Sequence, residues 1–137
     1  MTLHKLFVYG SLKRGFGNHR FLSESTFLAT TTTADPAYSM LSLGAFPAVV
    51  DGGVDMIQGE LYEVDDNTLA QIDMLEGNGR FYERFQVLLS NGEVAWMYHL
   101  VGATALSHGS EMQTSNGIAV WEDDFSNYIN KWRMASE

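Results

Sequence analysis

Residues 5–14 read KLFVYGSLKR, and this stretch carries the strongest structural signal in the chain. Leu6, Phe7 and Val8 form an apolar run typical of a buried strand, which stops at Gly10. A strand that ends at glycine exposes the next backbone N–H groups at a sheet edge, where they are fixed, neutral hydrogen-bond donors. Such donors can hold a carboxylate or a developing oxyanion. Residues 9–12, hereafter the YGSL loop, are therefore predicted to bind an anion.

Further strand signals recur along the chain, without the strand–helix–strand alternation of a parallel sheet. Asn91-Gly92, between two β-rich runs, is typical of a hairpin turn. Many strands and few helices predict an α+β domain, built as a small, mostly antiparallel β-barrel with one or two helices packed on it. The predicted strands are Leu6–Tyr9, Tyr38–Leu43, Ala48–Val50, Ile57–Val64, Phe81–Leu89 and Val94–Val101.

Two helices are predicted, together with a possible helical turn at residues 18–22. The first helix begins at a cap formed by Asp65 or Asp66, runs to about Leu75 and stops at Gly77. The second is an amphipathic helix near the C-terminus, whose aromatic stripe is expected to pack in the core. The expected buried faces are Leu69, Ile72 and Leu75 for the first helix and Trp121, Phe125, Tyr128 and Trp132 for the second.

The composition fits one domain spanning residues 1–137, with 45% apolar residues to form a core. No apolar stretch approaches the roughly 20 residues that cross a bilayer, and the N-terminus lacks the pattern of a signal peptide. Cysteine is absent, which excludes disulfides, thiolate catalysis and cysteine metal sites and fits a reducing cytosol. We therefore expect a cytoplasmic protein, whose oligomeric state the sequence leaves open.

The net charge of −9 argues against nucleic acid and anionic membranes as partners, since both require a cationic surface. The charge is unevenly spread, because four basic residues precede the first acidic residue, Glu24. This basic segment is about equally consistent with a solvated loop and with attraction of a small anionic substrate. Its members are Lys5, Lys13, Arg14 and Arg20.

Several common catalytic motifs are missing from the sequence. The histidines form no H-x-x-x-H pair, so no metal site is expected. The glycines after residue 9 do not form a G-x-x-x-x-G-K-[ST] phosphate loop. Ser11 lies in no G-x-S-x-G elbow, which disfavours a serine hydrolase. We expect surface or structural roles for His4, His19, His99 and His108.

Glu76 has the most unusual predicted position of the acidic residues. It ends an apolar helix face in IDMLEG, residues 72–77. A carboxylate there faces the negative end of the helix dipole, and with apolar neighbours its pKa is expected to rise toward neutrality. A group with such a pKa is a suitable base. On spacing alone, a solvent-exposed glutamate that tolerates a small penalty is the more common situation.

Residues 8–22, VYGSLKRGFGNHRFL, resemble the opening signature of the gamma-glutamylcyclotransferase-like family, and most of all its gamma-glutamylamine cyclotransferase branch. Residues 59–77, GELYEVDDNTLAQIDMLEG, resemble the family's G-x-[LV]-Y-x-[VI] strand and the helix after it, which ends in D-x-x-E. Residues 81–84, FYER, and 95–98, AWMY, resemble later strands of the family. The Y-G-S-L motif alone would be weak evidence, whereas blocks in the right order and spacing are specific.

The resemblance implies a six-stranded β-barrel with flanking helices and a pocket at one end. It implies that the YGSL loop binds a gamma-glutamyl group and that Glu76 is the acid/base that releases 5-oxoproline and a free amine, without metal or cofactor. Residues 77–80 depart from the family pattern and residues 102–137 have no match, so the leaving amine stays open. The implied substrate-binding residues are Tyr9, Gly10, Ser11 and Leu12, with Tyr82 and Tyr98 as pocket walls.

Two other functions remain compatible with the sequence. The same fold could be a non-catalytic module that binds a small carboxylate, although such a binder gains nothing from an acid at Glu76. The glycine that ends the first strand could also be a simple turn in a structural domain, and the order of the matched blocks argues against that function.

Overall fold

A computed structural model of the chain describes residues 2–43, 46–77, 82–101, 110–111 and 116–122. Within these residues the fold is α+β, mostly sheet with one α-helix, as the sequence predicts. The strands are β1 (Leu3–Val8), β2 (Thr26–Thr32), β3 (Tyr38–Ser42), β4 (Pro47–Asp51), β5 (Met56–Asp65), β6 (Tyr82–Leu88), β7 (Val94–Leu100), β8 (Ser110–Glu111) and β9 (Ile118–Ala119), and the helices are a 3₁₀ turn (His19–Leu22) and α1 (Asp66–Glu76).

The central sheet has the strand order β2-β5-β1-β7-β6, so β1 lies in its middle. Strand β1 pairs antiparallel with β5 and parallel with β7. A second sheet has the order β4-β3-β8, and β9 pairs parallel with β5. Among the described residues the edges of the central sheet meet through an isolated bridge, Thr33–Leu89, rather than a continuous ladder. The predicted six-stranded barrel is therefore not confirmed, because this sheet is not closed.

The two faces of the central sheet bury different cores, because side chains alternate along each strand. On one face Leu6 and Val8 pack with Leu69 and Ile72 of α1. On the other face Phe7 packs in the core that includes residues of the second sheet, such as Met40 and Val49. Burial on both faces explains why β1 reads as a continuous apolar run rather than an alternating one.

Helix α1 begins and ends where the sequence predicts. The carboxylate of Asp65 accepts a hydrogen bond from the Thr68 N–H at 2.8 Å and caps the N-terminus. Gly77 ends the helix with φ 61°, a left-handed conformation that favours glycine.

The predicted buried face of α1 is wrong at Leu75, which is 40% exposed. At 3.6 residues per turn, Leu75 lies about 120° around the helix from Leu69, whereas Glu76 lies within about 20° of it. The inward face is therefore Leu69, Ile72, Asp73 and Glu76, and its last turn presents two carboxylates to the sheet.

The hairpin between β6 and β7 is confirmed, with a different turn geometry from a two-residue loop. Gly92 has φ 88°, whereas Asn91 is not among the residues with positive φ. The Gly92 N–H donates to the Leu89 carbonyl, and the Leu89 N–H donates to the Glu93 carbonyl. This pattern is typical of a three-residue loop, in which glycine takes the left-handed position.

Strand β2 was not predicted, because its sequence, TFLATTT, shows little alternation of apolar and polar residues. Its pairing with β5 shifts between Phe27 and Ala29, and such a bulge breaks the period of two. Short β8 and β9 were also missed. The predicted turn at residues 18–22 is confirmed by the 3₁₀ turn.

Much of the predicted C-terminal helix lies outside the described residues, namely Phe125, Tyr128 and Trp132. Trp121 is described and is buried, as expected, but residues 120–122 are not helical, so the predicted helix does not include this residue. No helix in the described ranges is long and apolar enough to cross a bilayer.

The close approach of β5 to β1 requires glycine at position 59. A Cβ added to Gly59 would lie 2.3 Å from the Val8 carbonyl oxygen and 2.9 Å from the Phe7 ring. We expect Gly59→Ala to lower the free energy of unfolding by about 1–3 kcal/mol, because the backbone of β1 must shift. Urea unfolding measures this loss.

Gly17→Ala is the matched control, since a Cβ there meets no atom within 4 Å. We expect the control to leave stability unchanged or slightly raised. Equal stabilities of the two variants would contradict the close approach.

Candidate active site

The YGSL loop follows β1 directly and is held by bonds to its own carbonyls. The Gly10 carbonyl accepts from the Lys13 N–H at 3.0 Å, and the Ser11 carbonyl from the Asn18 N–H at 2.9 Å. The Asn18 side chain also donates to the Ser11 hydroxyl at 2.9 Å. His19 Nδ1 lies 2.9 Å from the Leu12 carbonyl, to which it can donate. The loop therefore has a fixed conformation.

These bonds set the direction of the N–H groups. In a trans peptide, the N–H of one residue points opposite to the carbonyl of the residue before it. Because the segment after the loop uses the carbonyls of Gly10 and Ser11, the N–H groups of Ser11 and Leu12 point away from that segment. Within the described residues nothing accepts a hydrogen bond from them. They are the donors that an anion could bind.

Gly10 abuts the start of β4. A Cβ on Gly10 would lie 2.8 Å from Pro47 Cγ, so only glycine fits this contact without a shift. The Pro47 carbonyl in turn accepts a hydrogen bond from the Tyr82 hydroxyl at 3.1 Å. Pro47 thus connects the loop to β6, a role that no pattern in the sequence indicated.

Glu76 lies on the inward face of the last turn of α1 and is half-buried. Burial raises the pKa of the Glu76 carboxyl from 4.5 to about 7. No donor from another described residue forms a hydrogen bond with this carboxylate, so nothing there offsets the cost of burial. The expected elevation of its pKa is confirmed in direction, with desolvation as the cause.

Three predicted residues lie near this carboxylate, namely Tyr9, Tyr82 and Tyr98. Burial is the largest cause that raises the pKa of each phenol, and the negative charge of Glu76 adds to it in all three cases. The Tyr9 hydroxyl donates to the Tyr98 carbonyl at 2.8 Å, which ties the end of β1 to β7. All three phenols are therefore neutral at physiological pH and can act only as neutral hydrogen-bonding groups.

Asp73 is a residue that the sequence reasoning did not single out. Its carboxylate accepts two bonds from the Arg84 guanidinium, at 2.9 and 3.2 Å, and one from the Tyr98 hydroxyl at 2.5 Å. The signal was available, since Asp73 precedes Glu76 by three residues and so shares its helix face. Asp73 is therefore hydrogen-bonded, whereas the carboxylate of Glu76, one turn further along the helix, has no such donor among the other described residues.

Lys13 does not serve the predicted basic surface, because it is only 8% exposed. Its Nζ donates to the Trp121 carbonyl at 2.5 Å and lies 4.9 Å from the centre of the Phe16 ring. Burial lowers the pKa of Lys13, against the opposing charges of Glu60 and Glu122. The buried ammonium therefore anchors the residue after the YGSL loop to the Trp121 backbone, and it is not exposed to attract a substrate from solvent.

The described residues contain no group of three His, Cys, Asp or Glu side chains that could hold a metal. His4 pairs with Asp66 at the start of α1. His99 is buried, with Nδ1 3.4 Å from an Asp51 oxygen. His108 lies outside the described residues.

The raised pKa of Glu76 has a consequence for stability. A carboxyl that is harder to ionise when folded destabilises the fold as pH rises from about 4.5 through about 7. We expect Glu76→Gln to raise the free energy of unfolding near pH 8 by roughly 1–3 kcal/mol, with the gain shrinking toward pH 5. Urea unfolding at both pH values measures it, and a gain that is independent of pH would contradict the burial of Glu76.

A family model and similar proteins identify the family of this chain. Residues 6–119 match the family described as gamma-glutamyl cyclotransferase, AIG2-like. A putative gamma-glutamylcyclotransferase of Vibrio cholerae is 41% identical over 95 residues, which cover 69% of this chain and 80% of that protein.

Two solved structures have a similar fold. The solution structure of ytfP from Escherichia coli has a TM-score of 0.63 at 31% identity and covers 83% of this chain and 94% of its own. The crystal structure of an AIG2-like protein of Mus musculus has a TM-score of 0.64 at 20% identity and covers 89% and 97%. The match over residues 6–119 and the Vibrio relative together show that this chain belongs to the gamma-glutamyl cyclotransferase, AIG2-like family.

Proposed function

We propose that the protein is a gamma-glutamyl cyclotransferase, which converts a gamma-glutamyl amide into 5-oxoproline and a free amine or amino acid. The observation that carries the proposal is Glu76, a half-buried carboxyl with a pKa of about 7, on a helix end that faces three neutral tyrosines. A group that titrates near neutrality can both accept and return a proton. Membership of the family supports the same reaction class.

The first step is deprotonation of the substrate. The alpha-ammonium of a gamma-glutamyl amide is not nucleophilic until it loses a proton. We assign that proton to the ionised carboxylate of Glu76, which becomes a neutral carboxylic acid. The half-buried setting favours this transfer, because it replaces a buried anion with a neutral group.

The second step closes the ring and expels the amine. The free alpha-amine attacks the gamma-carbonyl carbon, and a new C–N bond completes a five-membered ring. The amide C–N bond then breaks, and Glu76 returns its proton to the departing nitrogen. The attacking nitrogen loses its second proton as it becomes the lactam N–H, and that proton ends on the released amine, which leaves as an ammonium. No atom is gained from solvent, and Glu76 ends as the carboxylate with which it began.

The YGSL loop supplies binding rather than proton transfer. The N–H groups of Ser11 and Leu12 hold either the alpha-carboxylate of the substrate or the oxyanion that forms at the gamma-carbonyl. Because the loop is held through its own carbonyls, these donors need no rearrangement to bind. The ring closes only from a folded substrate rotamer, so the main task of the site is to enforce that rotamer.

Glu76→Gln tests the role of the carboxyl. Glutamine keeps the size of the side chain but cannot accept and return a proton, so we expect turnover to fall by about 10²–10⁴-fold. Release of 5-oxoproline measures the loss. Glu83→Gln, which removes an exposed carboxylate on β6, is the control that should keep wild-type turnover. Near-wild-type turnover by Glu76→Gln would rule out the mechanism.

The pH profile tests the same step independently. Glu76 must be ionised to take the proton, so kcat/KM should rise with pH through about 7, the pKa of its carboxyl. Initial rates across this range provide the measurement. A profile that is flat through neutrality would assign the proton to another group.

A substrate panel identifies the leaving group. We would assay gamma-glutamyl amino acids, gamma-glutamyl-epsilon-lysine and glutathione for release of 5-oxoproline. We expect the protein to meet its substrate in the cytoplasm. Activity on one class supports the cyclotransferase and names its substrate. Activity on none, with binding of a small carboxylate retained, favours the alternative of a non-catalytic binding module on the same fold.

A further inference from the structure

Asp73 and Glu76 share the inward face of the last turn of α1, but their surroundings differ. Asp73 accepts three hydrogen bonds, two from Arg84 and one from Tyr98. Glu76 receives none from the other described residues, although the phenol of Tyr98 is close enough for its pKa to respond to the Glu76 charge. Asp73 therefore accepts a hydrogen bond from the hydroxyl of a tyrosine whose phenol also lies near Glu76.

Arg84 is the cation that could pair with either carboxylate of the last turn of α1. Its side chain is partly buried and its guanidinium lies 4.4 Å from the centre of the Trp96 ring, so it is held beneath the helix end. A partly buried cation that loses its carboxylate partner is strongly driven to find another. The next carboxylate on the same helix face is Glu76.

We propose that Asp73 is a positioning residue, which binds Arg84 and Tyr98, keeps both donors from pairing with Glu76, and fixes the last turn of α1 against β6 and β7. The inference rests on the proposed function, because it explains how Glu76 stays available for proton transfer. An Arg84–Glu76 ion pair would stabilise the carboxylate and make it a weaker base.

Other titratable groups near the helix end do not perform this task. Tyr9 and Tyr82 are neutral phenols that face Glu76 from the YGSL loop and from β6. His19, on the 3₁₀ turn that packs against α1, is engaged with the Leu12 carbonyl. His4 is paired with Asp66 at the opposite end of the helix. Among the described residues, Asp73 and Arg84 are the remaining charged pair at this end of the helix.

Asp73→Asn tests the proposal. Asparagine cannot neutralise Arg84, so the guanidinium should act on Glu76 and lower its pKa by roughly one unit or more. The rise of kcat/KM with pH should move down by the same amount, and turnover near pH 8 should fall because the base is weaker. The carboxyl carbon of Glu76, followed by NMR as a function of pH, gives the pKa without any need for turnover.

The double variant Asp73→Asn/Arg84→Met separates this role from a purely structural one. Removing the cation as well should return the titration of Glu76 toward the wild-type value, although a second contact has been lost. If Asp73 had only a structural role, the single variant would leave the pKa of Glu76 unchanged, or the double variant would lose more stability without restoring that pKa. Glu83→Gln removes a carboxylate one residue from Arg84, on the other face of β6, and should leave the Glu76 titration unchanged.

The outcomes are distinguishable from failure of the proposed function. A Glu76 titration and pH profile that Asp73→Asn leaves unchanged would overturn the positioning role. Asp73→Asn could also lower the pKa of Glu76 while the wild-type protein releases no 5-oxoproline from any substrate tested. That result would support the positioning role and reject the cyclotransferase. If Asp73→Asn does not fold, Arg84→Met alone leaves the Asp73 charge uncompensated and should raise the pKa of Glu76, and an unchanged pKa there would overturn the proposal.

Discussion

The position of β1 between β5 and β7 is the constraint on which the rest of the site depends. Its antiparallel ladder with β5 leaves no room for a side chain at Gly59, and its parallel contact with β7 brings the end of the strand beside Tyr98. Both faces of β1 are buried, so the strand cannot tilt without opening a core. The YGSL loop therefore starts from a point that the whole sheet fixes.

Local signals in the sequence were enough to predict the parts of this arrangement that depend on neighbouring residues. The end of β1 at Gly10, the Asp65 cap and the Gly77 stop of α1 each follow from residue type and short-range geometry. The 89–93 hairpin was placed correctly, although Asn91-Gly92 did not reveal which loop length would form. Glu76 was identified because a carboxylate is unfavourable at the C-terminal end of a helix with apolar neighbours.

Long-range features were harder to predict, for identifiable reasons. Strand β2 is rich in threonine and interrupted by a bulge, so it lacked the alternation that marks a half-buried strand. A spacing of three residues predicted that Leu75 faces the core, whereas the period of 3.6 residues per turn places Glu76 on the inward face. The bonds from Arg84 to Asp73 join β6 to α1, and no spacing along the chain encodes that pairing. Closure of the sheet was expected from the number of strands and from the resemblance, and the described strands do not show it.

The Lys13 ammonium, which supports the YGSL loop, also bears on how the protein is made. The carbonyl that accepts its hydrogen bond belongs to Trp121, 108 residues further along the chain. During synthesis the loop leaves the ribosome before Trp121, so this bond cannot form until the residues between them have emerged. A contact of such high sequence separation forms late and at a high entropic cost. The YGSL loop therefore lacks this contact throughout the interval in which the residues up to Trp121 are synthesised.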